Sequence, residues 1–151
     1  MPRPKKPRTV HRPPLYTGFR PVGVPGRDLQ PLDLSLDEYE ALRLADLEGL
    51  DHAESAEQME ISRPTFSRLI EQARQKMARF LIEGRHLRID GGDVHFSGNR
   101  YRCEGCGHLL NTPLERELEA CPHCGSTDIV DLAGGFGHGR CCRRHQGRRG
   151  R

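Results

Sequence analysis

The sequence predicts a mainly α protein, in which a three-helix helix-turn-helix domain precedes a small β metal-binding ribbon and both ends are disordered basic tails. Three observations lead to this prediction. Helical periodicity runs through residues 35–83, four cysteines occur in two spaced pairs, and the two ends are rich in basic residues but lack acids. An apolar fraction of 34% without tryptophan is too small for one large core, so small separate units are expected.

The charge of the chain is segregated. Residues 1–27 carry seven Lys or Arg, residues 132–151 carry six Arg, and all 21 acids lie between these ends. Basic ends favour contacts with a polyanion, and the alternative is that they only increase solubility.

Eight of the eleven prolines fall within the first 31 residues, which favours an extended or disordered arm. The predicted domains are a basic Pro-rich arm at 1–31, a helix-turn-helix domain at 32–92, a four-cysteine module resembling a zinc ribbon at 93–132 and a basic Gly/Arg-rich tail at 133–151.

Two capping pairs mark where the first two helices begin. Ser35 precedes Glu38 by three residues and Asp51 precedes Glu54 by three, which is the spacing of a capping box. Gly49 is placed to end the first helix. The apolar side chains of these two helices predict their buried sides: Leu36, Tyr39, Leu42, residues 44–47, Ala53, Ala56 and Met59.

The third helical pattern runs from residue 63 to about residue 83 and has a proline near its start. Inside a helix a proline costs roughly 3 kcal/mol, but the first turn tolerates it because the N–H groups there have no intrahelical partner. With Ser62 as the N-cap, Pro64 falls within that first turn, and Gly84 closes the helix. One face carries the apolar residues of this helix: Phe66, Leu69, Ile70, Ala73, Met77 and Phe80.

Charge distinguishes the third helix from the two before it. Residues 28–60 contain eleven acids and one Arg, whereas residues 61–85 contain six Lys or Arg and two Glu. Short links between helices are typical of a helix-turn-helix, whose recognition helix reads the major groove with its N-terminal residues. The acidic first helix is expected to face away from DNA or to dock a partner. Double-stranded DNA is thus the predicted partner, contacted by Arg63, Thr65, Ser67, Arg68 and Gln72.

Basic residues farther along the third helix leave two interpretations open. Arg74, Lys76 and Arg79 could contact DNA or could simply form the solvated side of the helix. After the helix, two short runs, VHF and RYRC, flank a Ser-Gly-Asn turn and predict a β-hairpin.

Four cysteines form the strongest motif. Cys103-Glu-Gly-Cys106-Gly and Cys121-Pro-His-Cys124-Gly are two knuckles fourteen residues apart. Four thiolates complete a closed tetrahedral shell, which leaves no position for a reactive water and favours a structural role. The predicted cofactor is Zn²⁺, with Fe in the same site as the alternative, because tetrahedral sulfur ligation suits both metals. A module of about 35 residues cannot fold on its apolar core alone, so the metal would be its core.

Further histidines and cysteines offer other possible ligands. His108 and His123 lie beside the knuckles and are expected at the surface, because the sulfur set is already complete. In the tail, His138, Cys141, Cys142 and His145 could form a second metal site. The alternative is an exposed tail that binds nucleic acid or reacts with oxidants.

The helical region resembles a known family. The motifs EALRL, DLEGL and SRPTF occur together, and the opening MPRP, the segment Pro21-Val-Gly-Val-Pro25 and LRIDGG at 87–92 accompany them. This set resembles the bacterial and archaeal domain-of-unknown-function family number 134, a family of predicted DNA-binding proteins, over residues 1–92. More distantly it is similar to region 4 of sigma factors, which implies a winged or trihelical sigma-like helix-turn-helix. The stretch around the four cysteines resembles both a zinc ribbon and the short rubredoxin-type modules of iron proteins.

Together these patterns favour a sequence-specific DNA-binding protein and transcriptional regulator that reads the major groove with helix 63–83, as a homodimer or with RNA polymerase. The alternatives are an iron-binding, rubredoxin-like electron-transfer or redox-sensing protein, and an adaptor that docks a partner on its acidic first helix. The sequence contains no recognisable nucleophile triad, phosphate loop or paired-carboxylate site, so we do not expect an enzyme. Apolar runs of about three residues exclude a membrane span and predict a cytoplasmic protein.

Overall fold

The computed structural model of the chain describes residues 7–138 and residues 141–142. Over this part of the chain, helices account for 37% of the residues and strands, arranged in three sheets, for 22%. The prediction of a mainly α protein is therefore wrong, and the chain is a mixed α/β protein. None of its described helices combines the length and the apolar character that crossing a membrane requires.

The described elements follow one another in a fixed order. In chain order they are β1 (Arg8–Val10), β2 (Gly18–Phe19), a 3₁₀ turn (Gly26–Asp28), β3 (Pro31–Leu34), α1 (Leu36–Leu42), a π-helical turn (Arg43–Leu47), α2 (His52–Met59), α3 (Arg63–Glu83), β4 (His86–Ile89), β5 (Val94–Phe96), β6 (Gly98–Cys103), β7 (Leu109–Pro113), β8 (Ile129–Asp131) and α4 (Leu132–Gly135).

The chain divides into two compact units. The helical unit comprises the described residues up to Thr9 together with Tyr16–Val94, and it contains α1 to α3 and the sheet β2-β4-β3. The ribbon unit comprises Val10–Leu15 and the described residues from His95 onwards, and it contains the sheet β7-β6-β8. A two-stranded sheet pairs β1 with β5, and the division between the units falls within these two strands.

The described residues before α1 form short strands and a 3₁₀ turn, in contrast to the predicted disordered N-terminal tail. β2 pairs antiparallel with β4, and β3 pairs parallel with β4, so that Leu32 lies opposite Leu87. Pro13 and Pro14 are fully buried within the ribbon unit. Prolines exclude a helix but permit short edge strands and packed extended segments. The proline-rich composition therefore did not reveal this ordered structure. Residues 1–6 and the tail from 143 onwards lie outside the described residues.

The predicted hairpin around Ser97 is also wrong. β5 pairs with β1, while β6 pairs antiparallel with β7 and β8. Two neighbouring extended runs resemble a hairpin in sequence, but each strand here finds its partner in another part of the chain.

The core of the helical unit forms where α3 packs against α1 and α2. Phe66, Ile70 and Ala73 are almost completely buried on the predicted face of α3. Ser62 caps this helix by accepting the N–H of Thr65 at 3.3 Å, and Pro64 lies in the first turn as predicted. The buried members of the cluster come from all three helices and the π-helical turn: Ala41, Leu44, Ala56, Met59, Phe66, Leu69 and Ile70.

The α-helical part of the first helix ends at Leu42, a π-helical turn continues it over Arg43–Leu47, and Gly49 follows with φ 72° at the predicted end. In this turn the N–H of Glu48 donates to the carbonyl of Arg43, five residues earlier, which inserts one residue into the helical repeat. Leu44 stays fully buried, but Leu47 is 80% exposed. The expected burial of residues 44–47 is therefore wrong for Leu47, and on α2 the expected burial of Ala53 is wrong as well.

Three acids of α1 are buried and serve as internal partners. A buried carboxylate remains ionised only when a cation or several hydrogen-bond donors compensate for the lost hydration. Each of the three has a basic partner: the pairs are Asp37 with Arg8 at 2.5 Å, Glu38 with Lys76 at 2.7 Å, and Glu40 with Arg43. Much of the negative charge that the sequence assigns to α1 is thus neutralised inside the unit.

Substitution of two neighbouring glycines tests how rigidly the Asp37 carboxylate is held. Gly91 and Gly92 both have a positive φ, so alanine at either position should cost about 1 to 2 kcal/mol of backbone strain. A Cβ on Gly92 would lie 2.9 Å from Asp37 Oδ1, whereas one on Gly91 meets nothing within 4 Å. We expect Gly92→Ala to lower the free energy of unfolding in urea by clearly more than Gly91→Ala. Equal losses would mean that the Asp37 carboxylate moves freely.

Candidate nucleic-acid interface and metal centre

The helical unit has the connectivity of a helix-turn-helix. α2 ends at Met59, a three-residue turn follows, and α3 begins at Arg63. Glu60 ends α2 in the left-handed conformation with φ 58°, and its N–H donates to carbonyls of the preceding turn. Its carboxylate accepts a hydrogen bond from the Thr9 hydroxyl. Ile61, in the turn, is partly buried against the helical core.

The three long side chains predicted to contact DNA lie on the exposed side of α3. Arg63, Arg68 and Gln72 are all exposed and occupy the N-terminal half of the helix. Neither guanidinium forms an ion pair with any residue in the described part of the chain. Both arginines can therefore extend toward a ligand without breaking an internal contact.

The two predicted hydroxyl residues have internal partners. The Thr65 hydroxyl shares a hydrogen bond of 2.7 Å with the Ser62 hydroxyl, and the Ser67 hydroxyl shares one of 2.8 Å with Nδ1 of His52. The His52 ring also packs edge-on against Phe66, with 5.4 Å between ring centroids. His52 was not predicted, because its partner Ser67 lies fifteen residues away and no local pattern connects them. These contacts hold the start of α2 against the start of α3.

Basic residues in the second half of α3 contrast with the two arginines at its start. Arg74 binds both carboxylate oxygens of Asp46, at 3.1 and 2.7 Å, and this hydrogen bonding lowers the pKa of Asp46 below its ordinary value. Lys76 Nζ donates to Glu38 and to the carbonyl of Asp33. Arg74 and Lys76 are thus engaged within the helical unit. Within the described residues, the positive charge of the helix that lacks an acidic partner lies at its N-terminal end.

The N-terminus of α3 adds a second source of positive potential. The first N–H groups of a helix lack intrahelical partners, and the peptide dipoles add roughly half an elementary positive charge there. α3 is 21 residues long and has no acid in its first turn to neutralise this potential. The same end of the helix therefore combines exposed arginines with the positive end of the helix dipole.

The four predicted metal ligands converge at one end of the sheet β7-β6-β8. Their sulfur atoms all lie within 4.8 Å of one another, with 3.5 Å between Cys103 and Cys124 and 3.8 Å between Cys106 and Cys121. Sulfurs placed about 2.3 Å from a tetrahedral metal ion are separated by about 3.8 Å. The donor set therefore fits one tetrahedrally bound ion.

Each cysteine knuckle is closed by a backbone hydrogen bond to a glycine. The N–H of Gly107 donates to the carbonyl of Cys103 and that of Gly125 to the carbonyl of Cys121, both at 2.8 Å. The two glycines have φ of 75° and 76°, which side chains with a Cβ rarely adopt. This geometry explains why glycine follows the second cysteine in both knuckles.

Neighbouring donors and thiols set the ionisation of these sulfurs. The pKa of the Cys103 thiol is lowered to about 7, mainly by a hydrogen bond from the backbone N–H of Cys106. For Cys106 the N–H of His108 lowers the pKa, but loss of hydration and the neighbouring thiols together raise it to about 12. Four adjacent thiolates repel one another unless a cation compensates them, so a bound metal and four ionised sulfurs stabilise each other.

The remaining candidate ligands fall into two groups. His108 and His123 are exposed, as predicted, and their rings stack on each other with 5.0 Å between centroids. Among the described residues, His138, Cys141 and Cys142 come together as the sequence allowed, and His95 of β5 joins them. His145, the other residue considered for this group, lies outside the described residues.

Comparison with known proteins identifies the family. Residues 1–97 match the family described as "Protein of unknown function DUF134". The chain belongs to the DUF134 family. This confirms the resemblance inferred from the motifs EALRL, DLEGL and SRPTF. The family match ends at residue 97, before the first of the four knuckle cysteines.

Individual relatives of this DUF134 chain extend the similarity. A UPF0251 protein from Chloroherpeton thalassium is 47% identical over 151 residues and aligns with 98% of this chain and 99% of its own length. A UPF0251 protein from Moorella thermoacetica is 46% identical over 143 residues, or 95% of this chain and 94% of its own length. Both alignments are long enough to continue past residue 97 into the ribbon unit.

Proposed function

We propose that this chain is a sequence-specific DNA-binding protein, a transcriptional regulator that reads the major groove with the N-terminal half of α3. One observation carries the proposal: Arg63 and Arg68 are exposed at the start of this helix and have no acidic partner in the described part of the chain. A guanidinium can donate two parallel hydrogen bonds to O6 and N7 of guanine. Gln72, one turn beyond Arg68, suits adenine or a phosphate.

The charges around the N-terminal end of α3 favour a DNA contact that is confined to this end of the helix. Glu54 and Glu57 on α2 are exposed and repel a phosphate backbone, while Arg74 and Lys76 are neutralised by internal acids. The favourable surface for DNA is thus the first three turns of α3. A helix inserted by its N-terminal end also brings the positive end of its dipole toward a phosphate.

Rigidity at the tip supports base recognition. A base contact contributes most to the binding free energy when the backbone that carries the side chain is rigid, because less conformational entropy is then lost on binding. The Ser62 cap, the first-turn Pro64 and the His52–Ser67 hydrogen bond all hold the start of α3 in one conformation.

A single α3 tip offers few base contacts, so a second recognition element is part of the proposal. A homodimer would place two α3 helices on half-sites about 34 to 36 Å apart, and binding together with RNA polymerase would supply the additional contacts from the partner.

We further propose that the four-cysteine site holds Zn²⁺ in a structural role. The four sulfurs close the coordination shell, and each knuckle is closed by a glycine hydrogen bond, which suits an ion with a structural role. Iron in the same sulfur set is the rubredoxin-like alternative. A cytoplasmic location is part of the proposal, because free thiolate ligands require reducing conditions.

An arginine substitution tests the DNA contact. Arg68→Ala should weaken binding to a duplex selected from a randomised pool by about 5- to 150-fold, which corresponds to the about 1–3 kcal/mol that a bidentate base contact provides. The matched control is Arg79→Ala, which removes an exposed arginine from the other half of the same helix and should change affinity little. Equal losses for both variants, or no loss for Arg68→Ala at any salt concentration, would contradict the proposal.

Removal of the metal tests the structural role of the four-cysteine site. Structural zinc binding supplies about 10–16 kcal/mol in small modules, so stripping the ion with a chelator should expose the amides of residues 98–131 to hydrogen exchange while residues 52–83 stay protected. The released metal, measured by mass spectrometry, should be zinc.

Matched variants separate the ligands from their neighbours. Cys121→Ser should behave like the stripped protein and His123→Ala like the wild type. Stoichiometric iron in a red protein would refute the zinc assignment, and unchanged protection of 98–131 after metal loss would refute the structural role.

A further inference from the structure

A second cluster of metal-ligating side chains lies in the ribbon unit, apart from the four knuckle cysteines. It consists of His95, His138, Cys141 and Cys142, whose ligand atoms all lie within 4.8 Å of one another. His95 is the central residue of β5, and His138 follows α4. The ligands are thus separated by as much as 47 residues in sequence, and only the fold brings them together.

The distances within this cluster match those of a tetrahedral site. The two cysteine sulfurs are 3.7 Å apart, and Nδ1 of His138 lies 3.3 Å from Sγ of Cys141 and 3.5 Å from Sγ of Cys142. A tetrahedral zinc ion with Zn–S of about 2.3 Å and Zn–N of about 2.0 Å places its sulfurs about 3.8 Å apart and its sulfur and nitrogen about 3.5 Å apart. All three measured separations agree with these values to within a few tenths of an ångström.

Contacts outside the cluster hold its ligands in place. The backbone N–H of Phe96 donates to Sγ of Cys142 at 3.2 Å, and Cys142 is fully buried. The Phe96 ring packs edge-on against His138, with 5.1 Å between centroids. An N–H directed at a sulfur stabilises the thiolate, and such outer contacts are typical of metal sites.

We propose that His95, His138, Cys141 and Cys142 form a second metal site, which takes Zn²⁺ in a shell of two thiolates and two imidazoles. Two sulfurs and two nitrogens in tetrahedral array are a ligand set that zinc prefers. Adjacent cysteines rarely bind one ion, but both residues are helical here and both sulfurs lie close to the same imidazole nitrogen. Their separation of 3.7 Å also excludes a disulfide, whose S–S bond is about 2.05 Å.

The second site has a consequence for the chain that follows it. It ties His138, Cys141 and Cys142 to β5, and the arginine-rich sequence from Arg143 to Arg151 begins directly after the last ligand. A bound metal therefore holds the residue that precedes this basic sequence on the ribbon unit. This inference concerns residues that the proposed reading of DNA by α3 does not use, so it stands or falls independently of that function.

Metal titration of the full-length reduced protein tests the second site. Apo protein titrated with Co²⁺ should bind two equivalents. Cys141→Ala/Cys142→Ala should bind one, with the strong charge-transfer absorption of four thiolates. The four-thiolate absorption that remains in this variant shows that the module still binds metal.

The choice between His95 and His145 as the fourth ligand is tested by single variants. His95→Ala should weaken binding of the second equivalent by at least about 100-fold, since loss of even an outer-shell partner costs 10- to 100-fold. His145→Ala is the matched control and should bind both equivalents as the wild type does. A wild type that binds one equivalent, a Cys141→Ala/Cys142→Ala variant that binds two, or loss of the second equivalent in His145→Ala but not in His95→Ala would overturn the proposal.

Discussion

Burial of one face of α3 against α1 and α2 is the constraint on which the helical unit depends. Phe66 and Ile70 lose almost all contact with water in that interface, and fully burying such side chains contributes about 1.5–3 kcal/mol each. Once this face is buried, the opposite face of the same helix must be exposed. Arg63 and Arg68 therefore reach solvent for the same reason that Phe66 does not. The exposed tip is thus a consequence of the core, and the ion pair between Lys76 and Glu38 fixes the far half of the helix.

Local signals predicted the features that depend on residues a few positions apart. Capping boxes at Ser35 and Asp51, the buried face of α3 and the two cysteine knuckles all follow from helical periodicity or tight-turn geometry. The missed strand pairing and the missed ligand His95 involve contacts between distant residues, whereas the wrong burial of Leu47 and Ala53 is a local error. Parallel pairing of β3 with β4 joins Pro31 to His86, and no local pattern encodes it. The same holds for His95, whose cluster partners begin 43 residues later.

The charge pattern of the sequence gains a physical explanation from the structure. The acidic sequence of α1 predicts a helix that faces away from DNA or docks a partner, yet three of its acids are buried against basic residues from other elements. The amino-acid composition gives the number of charges but not which of them are paired in the fold. After these pairs are subtracted, the positive charge on α3 that lacks a partner among the described residues lies at its N-terminal end, where the helix dipole is also positive. This asymmetry, more than net charge, supports the nucleic-acid interface.

Mapping the contact residue by residue shows whether the tip of α3 reads DNA. Backbone and arginine side-chain NMR signals of the 151-residue protein can be followed during titration with a duplex enriched from a randomised pool. We expect the largest shifts at residues 62–72 and at the Nε signals of Arg63 and Arg68, with smaller shifts beyond Arg74. A duplex that binds while leaving these signals unchanged, with its shifts concentrated on another face, would contradict this expectation.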